Sequence, residues 1–498
     1  MANVVIIGGG VSGLSAGIYA RKFGLNAIVC ERHKIVGGNL TGWRRGEYQI
    51  DNCIHWLTGT NPHSPFHRTW QELGALGNVP IHQPEALFIC EKGGKTLPAY
   101  RDLERFEREA LTISPDDEQE IRAFTTAIRI VREWMRIAPK YESDRERIKL
   151  LLSTPKLLRY LCMSTGELSK RFHHPLLKQF TVCMMGKDFG ALALVFTLAT
   201  FCGNDGGIPQ GGSQAMAERI KMRFLELGGE LKTGKTVTKL HVHGKRVTAV
   251  ELSNGDMLAT DYVICACDPK LIFEKALGQK LPTHLQALYG NPKQPRFSSV
   301  HAAFSCEVKD LPFRGDYIFE LPRPYQKSLR SRFLVVREFT HEPSFAPEGK
   351  TVLQAMVFCD EKTAKSYIEL RKTPTAYRAK KRELAELFQT AIAEKFPCLR
   401  GKTKPLDVWT PATYERFTGA ETGSYMSFIL PKNKLPVPVK STVSGLQNFF
   451  LATQWQQPPG GLPTAASLGK RAAEIIAKRE GQRLPIFLKK KRNERALS

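Results

Sequence analysis

The sequence lacks any apolar stretch of the roughly 20 residues that a membrane-crossing helix needs. The longest such run, Phe189 to Cys202, falls short of that length. A helical span is therefore not the feature around which the chain is built. No basic segment precedes an apolar one at the start, where Met1-Ala2-Asn3 leads directly into a strand, so no secretory leader is expected. Cysteine is sparse and unpatterned, with 11 residues, an odd number, mostly inside apolar runs such as Ala27–Cys30 and Val263–Cys267. Such usage excludes a disulfide framework and fits reduced thiols in a cytoplasmic protein. Cys265-Ala-Cys267 lacks the two-residue gap of a zinc knuckle, and no metal site is expected. Zinc-finger spacing, a recognition-helix signature and aromatic RNA-binding motifs are all missing, which argues against nucleic acid. Negative charge is short as well: 48 acidic side chains face 73 basic ones, a formal net charge of +25. That excess leaves a strongly solvated exterior or peripheral contact with an anionic membrane surface.

What the sequence does have is concentrated at its start. Val4-Val5-Ile6-Ile7 is a β-branched run suited to a buried parallel strand. It enters Gly8-Gly9-Gly10-Val11-Ser12-Gly13, a Gly-x-Gly-x-x-Gly turn, and Leu14 to Phe23 then has helical spacing up to a C-cap glycine at Gly24. A second apolar strand, Ala27 to Cys30, ends in Glu31. Gly8 permits the tight turn, Gly10 lets a diphosphate approach the backbone, and Gly13 lets helix and strand pack closely. The free N–H groups around Ser12 and the positive helix end hold the diphosphate. Glu31, about twenty residues on, is placed to accept hydrogen bonds from the adenosine ribose. Its charge disfavours the 2′-phosphate of NADP, while Arg32 beside it weighs slightly the other way. The unit reads as a dinucleotide site.

At 498 residues the chain exceeds one simple core, and two intertwined or consecutive domains are expected. Beyond Glu31 come Gly37-Gly38-Asn39, then Asp51 and His55-Trp56-Leu57-Thr58-Gly59. Asp102 to Tyr141 is charged and helical, with Phe124, Ile128, Val131 and Met135 at helical spacing. Ile148 to Tyr160 alternates basic and apolar residues and is broken by Pro155; it reads as core-packed helices with solvated lysines, or as a face resting on anionic lipid. Ser213 to Leu227 is helical, a hairpin follows over Lys235 to Leu252, and Asp261 to Ala266 is a buried strand closed by Asp268-Pro269. Strands suit Ser298 to Ser305 and Thr351 to Phe358, and Tyr377 to Phe396 carries Leu384, Leu387, Phe388, Ala391 and Ile392 on one helical face. Trp409, Tyr414, Phe417, Tyr425 and Phe428 read as ordinary core, with lining of an apolar cavity the alternative. Finally Phe449 to Thr453 forms a strand, Gln454 to Gly461 a Pro/Gly loop, and Leu462 to Ala477 a helix. Lys489-Lys490-Lys491-Arg492 reads as a solvated tail.

The acid, spacer and Gly-Gly pair from Glu31 to Gly38, followed by the later blocks, resemble the flavoproteins grouped with phytoene desaturases, carotenoid isomerases and retinol saturases, within the amine-oxidase-like superfamily. The resemblance covers essentially the whole chain and is strongest at 3–59, 206–269 and 445–478. It implies an α/β fold: a discontinuous Rossmann-type FAD-binding domain with an inserted α+β substrate domain. The implied division is 1–75, 205–295 and 431–480 for FAD, 76–204 as a helical substrate- or membrane-facing segment, 296–430 as the substrate sheet and helix, and 481–498 as a basic tail. The family often carries arginine where Asn39 stands, and Arg44 or Arg45 is the expected replacement. The resemblance also implies that Val237 presents its backbone to the adenine, and that Gly461 and Leu462 meet the flavin pyrimidine edge.

The implied activity is FAD-dependent hydride transfer between flavin N5 and an apolar polyene or isoprenoid. Amine oxidation, redox-neutral isomerisation and non-catalytic binding of prenyl lipid, as in Rab GDP-dissociation inhibitors, are the alternatives. His55 is read as a packed structural histidine rather than an acid/base, and no catalytic residue is named.

Overall fold

The computed structural model describes residues 1–137 and 155–482. The opening β-branched run forms β1 (Asn3–Ile7), whose last four residues are buried. It pairs in parallel with β2 (Asn26–Glu31) on one side and with Tyr262–Cys265 on the other. The full sheet has six strands in the order Thr442–Val443, Leu446–Leu451, Tyr262–Cys265, β1, β2, Glu230–Thr233. Three distant stretches of chain thus meet in one sheet, with β1 at its middle. Helix α1 (Val11–Lys22) is buried from Val11 to Ala20, which its small residues permit. The last described helix, Leu462–Arg479, packs on it so closely that a Cβ at Gly469 would stand 2.2 Å from the Ser12 carbonyl oxygen.

A second sheet has seven strands in the order Lys404–Trp409, Ser298–Glu307, Lys350–Cys359, Phe333–Glu338, Asp316–Glu320, Ala86–Lys92, Lys95–Tyr100. Successive side chains along a strand point to opposite faces. One face carries Phe304, Phe319, Leu334, Val336 and Leu353 against Leu384, Phe388 and Ile392 of the helix Pro374–Lys395. The other turns Ile318, Val335 and Met356 toward a layer of helices that includes Glu118–Ile137, Pro175–Cys183 and Ala191–Cys202. The helical layer and this sheet face form the walls of the central cavity.

Two details differ from expectation. Segment 76–204, read as helical, also supplies the hairpin Ala86–Lys92/Lys95–Tyr100 to the seven-stranded sheet, turned by Gly93 and Gly94 at positive φ. The stretch from Asp102 splits into Leu103–Ile113, capped by Asp102 accepting the Arg105 N–H at 3.0 Å, and Glu118–Ile137, because Pro115 intervenes. Pro155 is the first described residue of the helix Pro155–Leu161, a position where a proline's missing N–H costs no intrahelical bond. Residues 138–141 and 148–154 of the stretches read as helical, and the basic tail, lie outside the described residues. No helix among the described residues is long and apolar enough to cross a membrane.

Candidate functional site

A cavity of about 1670 Å³ runs from the glycine turn after β1 to the cavity face of the seven-stranded sheet. At the first end the backbone itself is the wall. Gly8 holds φ at +108°, a conformation that side chains rarely adopt. A Cβ at Gly13 would lie 1.8 Å from the Gly8 carbonyl oxygen, so helix and turn close only around glycine. Gly10 bridges to Gly37, and a Cβ there would face the Gly37 carbonyl at 3.8 Å and Gly38 Cα at 4.0 Å. Gly8, Gly10, Gly37 and Gly38 all line the cavity, so the two glycine loops form a slot with no side chain in it.

The polar groups around this slot have defined remaining capacity. Glu31, 8% exposed, accepts the Gly9 N–H through Oε2 and the His33 N–H through Oε1, both at 2.8 Å. Each carboxylate oxygen keeps a lone pair, which the group presents to the cavity. Lys235, Thr236 and Val237 line the adjoining wall, where the Lys235 N–H donates to the Glu31 carbonyl at 3.0 Å. Asn39 donates through Nδ2 to the Tyr425 carbonyl at 3.0 Å, and its buried Oδ1 has no partner among the described residues. Asp268, which the sequence reading treated only as the end of a strand, is 3% exposed and lines the same wall. Its Oδ1 accepts from the Tyr289 hydroxyl and the Lys270 N–H, while Oδ2 is orphaned among the described residues. Burial pushes this carboxyl above its usual pKa. At the far side of the slot Gly461, φ +97°, caps the helix Leu462–Arg479 and donates its N–H to Gln454 Oε1 at 3.2 Å. Gly461 and Leu462 both face the cavity.

Other expected contacts are committed elsewhere. The Ser12 hydroxyl donates to the Ala452 carbonyl, tying α1 to the end of the strand Leu446–Leu451, which leaves its backbone N–H as the donor for a ligand. Arg32 lines the cavity, but its guanidinium donates to the carbonyls of Glu415 and Arg416 at the end of the helix Pro411–Thr418. Arg44 and Arg45 do not replace the family's arginine at position 39. They sit on the exposed hairpin strand Gly42–Arg45, where Arg45 pairs with Asp407 at 2.5 Å, and neither lines the cavity. Of the five aromatics considered, Phe417 and Tyr425 line the cavity, while Trp409, Tyr414 and Phe428 are buried core.

The second end of the cavity is apolar. Ala193, Phe196 and Thr197 project into it from one face of Ala191–Cys202, with Met184 and Met185 beside them. Ile318, Val335, Met356 and Phe358 complete the wall from the sheet. The apolar run Phe189 to Cys202 was visible in the sequence; its cavity-facing side was not, because helical spacing does not say what covers each face.

A hydrogen-bonded ionic cluster interrupts this wall. His55 and Asp316 both line the cavity, with His55 Nδ1 3.2 Å from Asp316 Oδ2. Arg337 Nε holds Asp316 Oδ1 at 2.6 Å, and its other nitrogens donate to the carbonyls of Ile54 at 2.8 Å and His55 at 2.7 Å. Burial opposes the Asp316 charge, but Arg337 and His55 outweigh it and hold the carboxyl below its usual pKa. Burial first, then the Arg337 charge, push the His55 imidazole below its usual value, with Asp316 pulling the other way. His55, read from the sequence as a packed structural histidine, is held by Asp316 and lines the cavity with 28% of its side chain accessible.

The slot suits a dinucleotide flavin. Its glycine walls leave room for a diphosphate, and Glu31, Asn39 Oδ1 and Asp268 Oδ2 supply acceptors for a ligand rich in hydroxyl and amide donors. A Rossmann-type sheet opening through such a slot into a long apolar cavity defines the class, an FAD-dependent oxidoreductase. Residues 11–477 match the flavin containing amine oxidoreductases, and the chain belongs to that family. It is 22% identical to a lycopene-forming phytoene desaturase of Pseudescherichia vulneris, over 96% of this chain and 99% of that one. It is 25% identical to a chloroplastic prolycopene isomerase of Arabidopsis thaliana, over 95% of this chain and 82% of that one. Among solved structures, an oxidoreductase from Methanosarcina mazei shares the fold, with TM-score 0.62, 16% identity and coverage of 95% of this chain and 100% of its own.

Proposed function

We propose that the protein transfers hydride between the N5 of bound FAD and an apolar polyene or isoprenoid substrate. The observation that carries this reading is the continuity of the cavity. At about 1670 Å³ it is larger than the roughly 300–1,000 Å³ of a pocket for one small ligand. A polar end of glycine backbone is joined to an apolar end of methionine and phenylalanine, so two ligands of opposite character would meet inside it. Gly8, Gly10, Gly37 and Gly38 would hold the diphosphate on a turn that Gly13 keeps closed, with Glu31 on the adenosine ribose and Val237 on the adenine. The start of Leu462–Arg479, with Gly461 and Leu462, would lie at the pyrimidine edge, where the helix dipole favours negative charge. FAD supplies a two-electron acceptor; the protein's own part is to orient the substrate and exclude water. The similarity to a phytoene desaturase and a prolycopene isomerase supports the substrate class. An amine substrate fits the apolar end less well, because the carboxylate there, Asp316, is already paired with Arg337.

The test is the visible spectrum of the purified protein during anaerobic titration with phytoene and, separately, with amines. Bleaching of the flavin by the polyene upholds the proposal; bleaching by amines alone overturns it. Contact with anionic lipid is part of the same proposal. Leu435, Pro436, Val437 and Pro438 line the cavity beside Lys434, and Val437 is 56% exposed, which suits a mouth resting on a membrane surface. Loss of vesicle co-sedimentation on Val437→Asp is expected; unchanged sedimentation would remove the lipid contact.

A further inference from the structure

We propose that His55, oriented by Asp316, exchanges a proton with the substrate during the redox step. This rests on the polyene or isoprenoid reading of the cavity. Removing two hydrogens from adjacent carbons of such a substrate releases one as hydride, which carries two electrons to the FAD of an FAD-dependent oxidoreductase. The second C–H bond then breaks with its electron pair becoming the new π bond, and its hydrogen leaves as a proton. That proton needs a base inside an apolar cavity from which water is excluded. In the saturating direction the same base, protonated, supplies the proton.

The geometry meets this need at one place. Asp316 faces His55 Nδ1, which fixes the neutral imidazole with its hydrogen on Nδ1 and the lone pair on Nε2. Among the described residues the His55 ring bonds only through Nδ1; with 28% of the side chain accessible on the cavity wall, Nε2 is left for the substrate. Arg337 clamps the arrangement from below by holding both the Asp316 carboxylate and the backbone carbonyls of residues 54 and 55. The charged and titratable groups facing His55 are Asp316, Arg337, Asp51 and His301, each from a different strand. Asp51 is itself committed to the Ser213 N–H and hydroxyl, and His301 to Ser299, at 2.7 Å, and Tyr414. Asp316 is a positioning residue: it acts on the substrate only through the imidazole it holds.

The test uses the full-length FAD-loaded protein, mixed anaerobically with phytoene in a stopped-flow instrument across a range of pH. In the wild type, flavin reduction is expected to rise with pH along a single limb lying below about 6.5, because only the neutral imidazole accepts a proton. His55→Gln is expected to slow the step about 100-fold or more and to abolish the limb, while the resting flavin spectrum and the phytoene affinity stay as in the wild type. Asp316→Asn is expected to keep the limb but displace it. As a readout independent of turnover, diethyl pyrocarbonate is expected to modify His55 in the wild type, located by mass spectrometry, and squalene in the cavity is expected to protect it. The proposal is overturned if His55→Gln keeps the limb or most of the rate, or if His55 resists modification. A wild-type flavin that no polyene reduces overturns the substrate reading and this proposal with it. Equal reduction in both proteins overturns the role of His55 alone.

Discussion

Replacing Gly10 with alanine should separate folding from cofactor binding. Gly10 has φ −74° and ψ 179°, which alanine adopts without strain. The new methyl would lie 3.8 Å from the Gly37 carbonyl oxygen and 4.0 Å from Gly38 Cα, ordinary contact distances. The apoprotein therefore gains about 0.4–1 kcal/mol from the reduced freedom of its unfolded chain. The same methyl occupies the slot between the glycine loops. Overfilling a fitted space costs about 1–3 kcal/mol, which raises the FAD dissociation constant about 5- to 150-fold. Gly13→Ala behaves differently, because its methyl would sit 1.8 Å from the Gly8 carbonyl oxygen and the turn itself must move. That variant should lose stability and FAD together. Urea unfolding of the apoproteins, followed by tryptophan fluorescence, measures the first quantity, and quenching of FAD fluorescence on titration measures the second. Wild-type FAD affinity in Gly10→Ala would refute the slot as the diphosphate site. A wild-type urea midpoint in Gly13→Ala would refute the close packing.

Asp205, 4% exposed, accepts the N–H groups of Gly59 at 2.7 Å, Thr60 at 2.8 Å and Asn61 at 3.1 Å. Asp205→Ala strands these donors and should lower stability by about 2–5 kcal/mol, read from the urea midpoint. Ala193→Trp should fill the apolar end from the helix Ala191–Cys202; flavin content stays unchanged while the phytoene dissociation constant rises about tenfold or more. An unchanged phytoene titration would place the substrate elsewhere. His341, stacked on His82 at 4.6 Å, has its pKa lowered to about 3, first by burial and then by the Arg337 charge. The unfolded chain binds a proton there near pH 6.5 that the folded protein refuses, so stability falls as pH drops from about 6.5 toward 3. His341→Phe should lose less stability between pH 7 and pH 5 than the wild type, and equal losses would count against a neutral His341.

Legibility followed the range over which each feature is encoded. The glycine turn needs specific backbone conformations within a few residues, so Gly8, Gly10, Gly13 and Glu31 announce themselves locally. The second glycine pair and Val237 followed from the family resemblance; Gly8, Gly10, Glu31, Gly37, Gly38 and Val237 line one cavity, and Gly13 packs behind the turn. Asp268 escaped notice because its orphaned Oδ2 reflects burial by residues far along the chain. The apolar wall was half legible: period-two strands and a period-3.6 helix were apparent, but not which face of each meets the cavity.

His55 shows the limit most clearly. Its partner Asp316 lies 261 residues away, and Arg337 is further still, so nothing near His55 in sequence distinguishes it from a core histidine. The alternation along the sheet puts Asp316 on the face of Ile318 and Arg337 on the face of Val335, beside apolar neighbours that line the cavity. Placing a carboxylate and a guanidinium there is expensive, since buried charges must be paired and hydrogen-bonded to persist, and apolar residues of similar volume commonly serve stability as well or better. Here the pair is fully arranged around one imidazole whose remaining nitrogen has no protein partner among the described residues. A group that stability does not require, aimed into the space the substrate would fill, is where local sequence rules are expected to yield to chemistry.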